Sequence, residues 1–173
     1  MNEDAHYKGY RSNSHHLKDY DYSQPGAYFI TIATYKKIEL FGYIEEDTVI
    51  LNNRGKIAFE CWNDLPVHFR SVEIDDFIVM PNHVHGIIWI NELVNRRDTA
   101  CRVSTEQFGK PLRGSIPTIV RSFKSAVTKR IHRIEPQIKV WQSNYYDHII
   151  RNDQDLENIR TYIKYNAYDR FDF

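Results

Sequence analysis

The chain has 173 residues, enough for one domain and short for two. Its 23 Lys and Arg cancel its 23 Asp and Glu, and 42% of the residues are hydrophobic; this excludes a polycation, an acidic tail protein and wholesale disorder. Two cysteines, Cys61 and Cys101, exclude a disulfide framework or a four-thiolate zinc site. The start, MNEDAHYKGYRSNSHH, lacks the apolar stretch of a signal peptide. No apolar run approaches the ~20 residues that span a bilayer, so a cytoplasmic protein is expected.

Residues 1–24 are polar and tyrosine-rich and read as an N-terminal arm, with 25–173 forming a single domain. After Pro25-Gly26, the β-branched and aromatic run from Ala27 to Thr34 predicts a strand. From Ile38 to Leu51, two apolar runs flank Glu45-Glu46-Asp47 and predict a hairpin with an acidic tip. Asn53 is placed to cap a helix carrying Ile57, Ala58, Cys61, Trp62 and Leu65 on one stripe, closed by Pro66. Val72–Met80 and His83–Ile90 flank Pro81-Asn82 and predict adjacent antiparallel strands. Residues 91–113 read as a charged surface connection. A long amphipathic helix should run from about Ser115 to Pro136, because Ile116, Ile119, Val120, Phe123, Val127, Ile131 and Ile134 keep spacings of three and four. Val140–Ile150 reads as a strand with an internal turn, and Asp153–Tyr168 as a helix with an acidic first turn. This order lacks the regular alternation of a doubly wound parallel sheet and fits an α+β sandwich of ferredoxin-like type.

The sharpest local feature is His83-Val84-His85. On a strand, residues two apart share a face, so both imidazoles project together and can hold one divalent metal. A bare His-x-His is more often a pair of surface histidines, but here the flanking residues are strongly apolar. Gly86 would leave room for a substrate or backbone to approach. On the last helix, Tyr162 and Asn166 are four apart and share a face. They suit a nucleophile beside a third ligand, or equally an anchoring tyrosine and a helix-end residue; Tyr165 and Tyr168 compete for the first role. Between Lys110 and Lys139 stand eight basic residues and one acid, leaving 15 basic and 22 acidic residues elsewhere. Much of that cluster is a helix face, which is either simply solvated or a footprint for a phosphate backbone through Arg113, Arg121, Lys124, Lys129, Arg130 and Arg133. Trp141, Tyr145 and Tyr146 are candidate platforms for unpaired bases.

Together these segments carry a resemblance. The run from Phe77 to Ile90, FIVMPNHVHGIIWI, resembles the His-hydrophobe-His core of single-tyrosine (HUH-type) transposases of the insertion-sequence type. Val140–Leu156, Tyr162–Asn166 and the lead-in Asp19–Ile32 are similar to the REP-associated tyrosine transposase branch, so the likeness covers roughly residues 17–168. The family usually has Pro after the asparagine, where this chain has Ala167. The resemblance implies that His83, His85 and Asn166 bind Mg²⁺ or Mn²⁺ and that Tyr162 attacks single-stranded DNA beside a hairpin, leaving a 5′-phosphotyrosine and a free 3′-hydroxyl. It implies a transposase acting as monomer or homodimer. Two other readings stand beside it: a domesticated, inactive DNA-hairpin binder, and a small metal-dependent phosphoester hydrolase with no use for Tyr162.

Overall fold

The computed structural model describes residues 20–92 and 114–166. Cys101, Arg113, Ala167, Tyr168 and most of the N-terminal arm lie outside them. The main sheet takes four antiparallel strands in the order β4-β5-β1-β6, with β1 at Gly26–Ala33, β4 at Val72–Met80, β5 at His83–Ile90 and β6 at Tyr146–Ile150. Two helices, α1 (Asn53–Asn63) and α3 (Ile116–His132), cross over between strands, and α4 (Asp153–Tyr165) follows β6. This is the ferredoxin-like α+β sandwich that the element order predicts. Among the described residues no helix is long and apolar enough to cross a membrane.

The period of two along each strand sorts the side chains onto two faces. On one face Tyr28, Ile30 and Ile32 of β1 and Val84, Ile88 and Ile90 of β5 meet α1 and α3 through Ala58, Cys61, Trp62, Ile119, Phe123 and Val127. On the other, Ala27, Phe29 and Ile87 meet Leu156, Ile159 and Ile163 of α4. Each of these buried aliphatic side chains contributes roughly 1.5–3 kcal/mol by leaving water. An ion pair fastens α4 to the sheet: Arg160 donates to both carboxylate oxygens of Asp75, which also accepts from Trp89 Nε1 at 2.9 Å. Burial pushes the Asp75 carboxyl upward, but the hydrogen bonds from Arg160 and Trp89 outweigh it and hold the pKa below the ordinary value.

Several local expectations shift. The cap of α1 is Asn52, not Asn53, and its side chain accepts from the Arg54 and Gly55 amides. That helix ends at Asn63; Pro66 sits in the first turn of a separate short helix, α2 (Leu65–His68), where its missing N–H is not needed. The hairpin forms as β2 (Gly42–Glu45) and β3 (Thr48–Leu51), with Glu46 and Asp47 both at positive φ, the geometry of a tight two-residue turn. Residues 140–150 do turn internally as expected: Trp141 bridges Thr34 just beyond β1, and Tyr146–Ile150 forms the full strand. The Trp141 side chain turns inward, 8% exposed against Phe41 and Phe123, and donates to the Lys124 carbonyl, so it is no base platform. Tyr22, assigned by sequence to the arm, is buried in the core, and its carbonyl accepts from the Ile116 amide.

Gly86 departs furthest from expectation. It points away from the histidines, and a Cβ there would lie 2.4 Å from a Trp62 ring carbon and 2.8 Å from Phe77 Cβ. The space is filled by the core, not kept for a substrate. Gly86→Ala is therefore expected to destabilise the fold by about 1–3 kcal/mol through overpacking, read as a lower urea midpoint with an unchanged m-value.

Candidate active site

The register of β1 against β5 pairs Thr31 with His85 and Ala33 with His83, at the end of the sheet where β4 turns into β5. His83 and His85 project from the same face, with ring centroids 4.2 Å apart. The sequence pattern requires this, and the structure adds what holds each ring. Thr31 Oγ1 lies 2.8 Å from His85 Nδ1, and Asn82 Oδ1 lies within hydrogen-bond distance of His83 Nδ1. Phe29 stacks on His85 at 5.3 Å between centroids.

An amide oxygen can only accept, so the His83 proton sits on Nδ1 and its Nε2 keeps a lone pair. At His85, Thr31 Oγ1 engages Nδ1 and the Tyr162 hydroxyl lies 3.3 Å from Nε2; with the ring proton on Nδ1, Nε2 accepts from Tyr162. Burial lowers the pKa of both rings, His83 to about 4 and His85 well below its ordinary value. For His83 a hydrogen bond with Asn166 opposes the shift and the charge of Lys37 adds to it; for His85 the neighbouring His83 adds to it. Both imidazoles are neutral at pH 7, the form that ligates a metal.

The third element is α4. Tyr162 and Asn166 stand one helical turn apart on the face that meets the sheet. Asn166 caps the helix, 4% exposed, and hydrogen-bonds His83, while Tyr162 packs edge-on to Phe29 and His85. Tyr165 is 48% exposed and points elsewhere. The helix and the histidines meet within one chain.

The donor set fits a divalent ion. No group of three His, Cys, Asp or Glu suited to a metal occurs among the described residues, so no carboxylate completes the pair. Asn166, hydrogen-bonded to His83, is the neighbouring side chain that could add a carboxamide oxygen to the two neutral imidazole nitrogens. Such an uncharged set suits an ion whose remaining positions are taken by water and phosphate oxygens.

The predicted basic cluster lies elsewhere. Its helix, α3, packs on the sheet face opposite the histidines. Lys124 donates to the carbonyls of Gln142, Ser143 and Asn144, and Arg130 is paired with Glu60. Arg121, Lys129 and Arg133 are exposed on that far side. Of the aromatic candidates, Tyr145 packs against the core on the α3 side and Tyr146 beside Phe29 on the histidine side. Sequence reasoning did not single out Thr31 and Asn82. The available signals were a lone polar residue on the α4-facing positions of β1 and an amide directly before the first histidine.

No family model matches the chain. An uncharacterised protein of Haemophilus influenzae is 39% identical over 167 residues, covering 91% of each chain. A second H. influenzae protein, named "Putative REP-associated tyrosine transposase", is 28% identical over 150 residues, covering 84% of this chain and 72% of its own. Among solved structures, a REP-associated tyrosine transposase bound to a REP hairpin superposes with a TM-score of 0.56 at 18% identity, covering 84% of this chain and 68% of that one. The motif order and these relatives point the same way: the chain is similar to a REP-associated tyrosine transposase in sequence and shares the fold of a solved one.

Proposed function

We propose that the protein is a metal-dependent single-stranded DNA endonuclease and strand transferase that works through a covalent bond between Tyr162 and a 5′-phosphate. The observation that carries this reading is the Tyr162 hydroxyl 3.3 Å from His85 Nε2, with the other nitrogen of that ring tied to Thr31. A phenol with a pKa near 10 is about one part in a thousand ionised at pH 7, so it needs help to attack. His83, His85 and Asn166 would hold Mg²⁺ or Mn²⁺, which supplies positive charge to favour the phenolate and to polarise the scissile phosphate.

The chain's own residues do the rest. Thr31 and Asn82 fix the imidazoles, and α4, clamped by Arg160 to Asp75, brings Tyr162 Oη to the same point. The Tyr162 proton passes to solvent and Oη bonds to phosphorus as the P–O3′ bond breaks; the electron pair goes to O3′, which takes a proton from solvent and leaves as a free 3′-hydroxyl. Another 3′-hydroxyl attacking the phosphotyrosine reverses the sequence and joins strands without a nucleotide. The substrate would be single-stranded DNA beside a hairpin, because a strand must bend into the site with its bases unpaired. On the far face, Arg121, Lys129 and Arg133 would meet a part of the DNA that is not being cut. A chromosomal substrate places the protein in the cytoplasm.

Incubated with Mg²⁺ or Mn²⁺ and a labelled hairpin-flanked single strand, the protein should form a covalent adduct that Tyr162→Phe abolishes and Tyr165→Phe retains. An adduct that survives Tyr162→Phe overturns the assignment. Hairpin binding without cleavage under any divalent metal would favour an inactive DNA-binding module, and hydrolysis of a small phosphodiester by Tyr162→Phe would favour a hydrolase.

Because the tyrosine and histidines meet within one chain, a mixture of His85→Ala and Tyr162→Phe should stay inactive; recovered cleavage would mean that the helix serves a partner. Thr31→Val keeps the shape of the strand but removes the hydroxyl at His85 Nδ1. It should weaken Mn²⁺ binding by about 10–100-fold in titration calorimetry, with Thr31→Ser near wild type.

A further inference from the structure

The cations nearest the histidines are not those of α3. Between β1 and β2 the chain makes a tight 3₁₀ turn at Tyr35–Lys37, in which Lys36 and Lys37 both take φ of 55°, a region that non-glycine residues seldom occupy. The preceding residue holds the turn against the active-site end of the sheet. The Thr34 amide donates to the Asn82 carbonyl at 2.9 Å, and the Thr34 hydroxyl lies within hydrogen-bond distance of the Asn82 and Ile38 carbonyls. From the other side, the Tyr35 amide donates to the Val140 carbonyl, which brings Lys139 over the Tyr35 ring at 4.2 Å; Lys36 lies 5.4 Å from the same ring. Lys36, Lys37 and Lys139 are all exposed, and Lys37 is close enough for its charge to act on His83. The one acid of the connection is the exposed Glu39.

We infer that the Tyr35–Lys37 turn, together with Lys139, is the phosphate grip for the single strand entering the active site. This rests on the strand-transferase reading and adds where the strand is held. Two ammonium groups over one aromatic ring and a third, Lys37, near His83 can neutralise successive phosphates next to the scissile one. The α3 cations cannot do this, since the sheet lies between them and the histidines.

The test uses the full chain in a Tyr162→Phe background, without metal, and a short labelled oligothymidylate followed by fluorescence anisotropy. Replacing Lys36, Lys37 and Lys139 together by Gln should weaken binding at least about tenfold and flatten the dependence of log Kd on log salt by about 2, since each phosphate contact on a single strand contributes about 0.7. Replacing Arg121, Lys129 and Arg133 together by Gln should change Kd by less than about twofold and leave the slope alone. Equal losses in the two variants, or a larger loss in the α3 variant, overturn the inference. Adduct formation by the wild-type protein is measured in parallel. An adduct with no effect of the turn variant on binding sinks the grip and spares the function; turn-dependent binding with no adduct does the reverse.

Discussion

The alternation of β5 is the constraint from which the rest follows. A strand sends neighbouring side chains to opposite faces, so a segment buried on both sides must satisfy two packing problems with interleaved residues. The odd positions, His83, His85, Ile87 and Trp89, face α4. The even positions, Val84, Gly86, Ile88 and Ile90, face α1 and α3. A one-residue slip would place both imidazoles in the hydrophobic core and the Gly86 gap on the reactive face. Trp62, seated against Gly86, makes that slip costly from the side opposite the chemistry.

Burial of the histidines then has a chemical use. Taken out of water, each imidazole loses its preference for a proton, and the hydrogen bonds of Thr31 and Asn82 hold the two rings in place. The site is neutral inside, while positive charge stands outside it at Lys36, Lys37 and Lys139. A neutral pocket suits a dication bound by nitrogen and amide oxygen, and an exposed cationic rim suits a polyanion that brings further oxygens. The zero net charge of the chain conceals this separation, since the sum is blind to placement.

The elements were largely legible in the sequence because each carried a strong period and clear punctuation. Ala27–Thr34, Val72–Met80 and His83–Ile90 reappear with ends shifted by a residue at most, and the long helix keeps its stripe to Ile131 but ends at His132, leaving Ile134 exposed. Legibility failed where a side chain had a long-range partner. Val140–Ile150 reads as a strand with an internal turn, and so it folds, yet nothing local reveals that the Trp141 side chain fills a space between Phe41 and Phe123. Gly86 reads as open space because nothing in its neighbourhood reveals Trp62, 24 positions earlier. The basic residues of α3 read as one surface, although Lys124 and Arg130 are engaged within the chain.

By itself the sequence determined that His83 and His85 share a face and that Tyr162 and Asn166 share another, because both statements follow from the repeat of a single element. It also determined the order of strands and helices that leads to this sandwich. Only the tertiary structure decided that the two faces meet, that Tyr162 rather than Tyr165 reaches His85, and that Thr31 holds the far side of that ring. It alone put α3 across the sheet from the histidines and a lysine turn beside them. Periodicity is local and survives in one dimension; the pairing of faces is set by strand register and helix packing between residues as far apart as 85 positions, as in the Arg160 to Asp75 clamp.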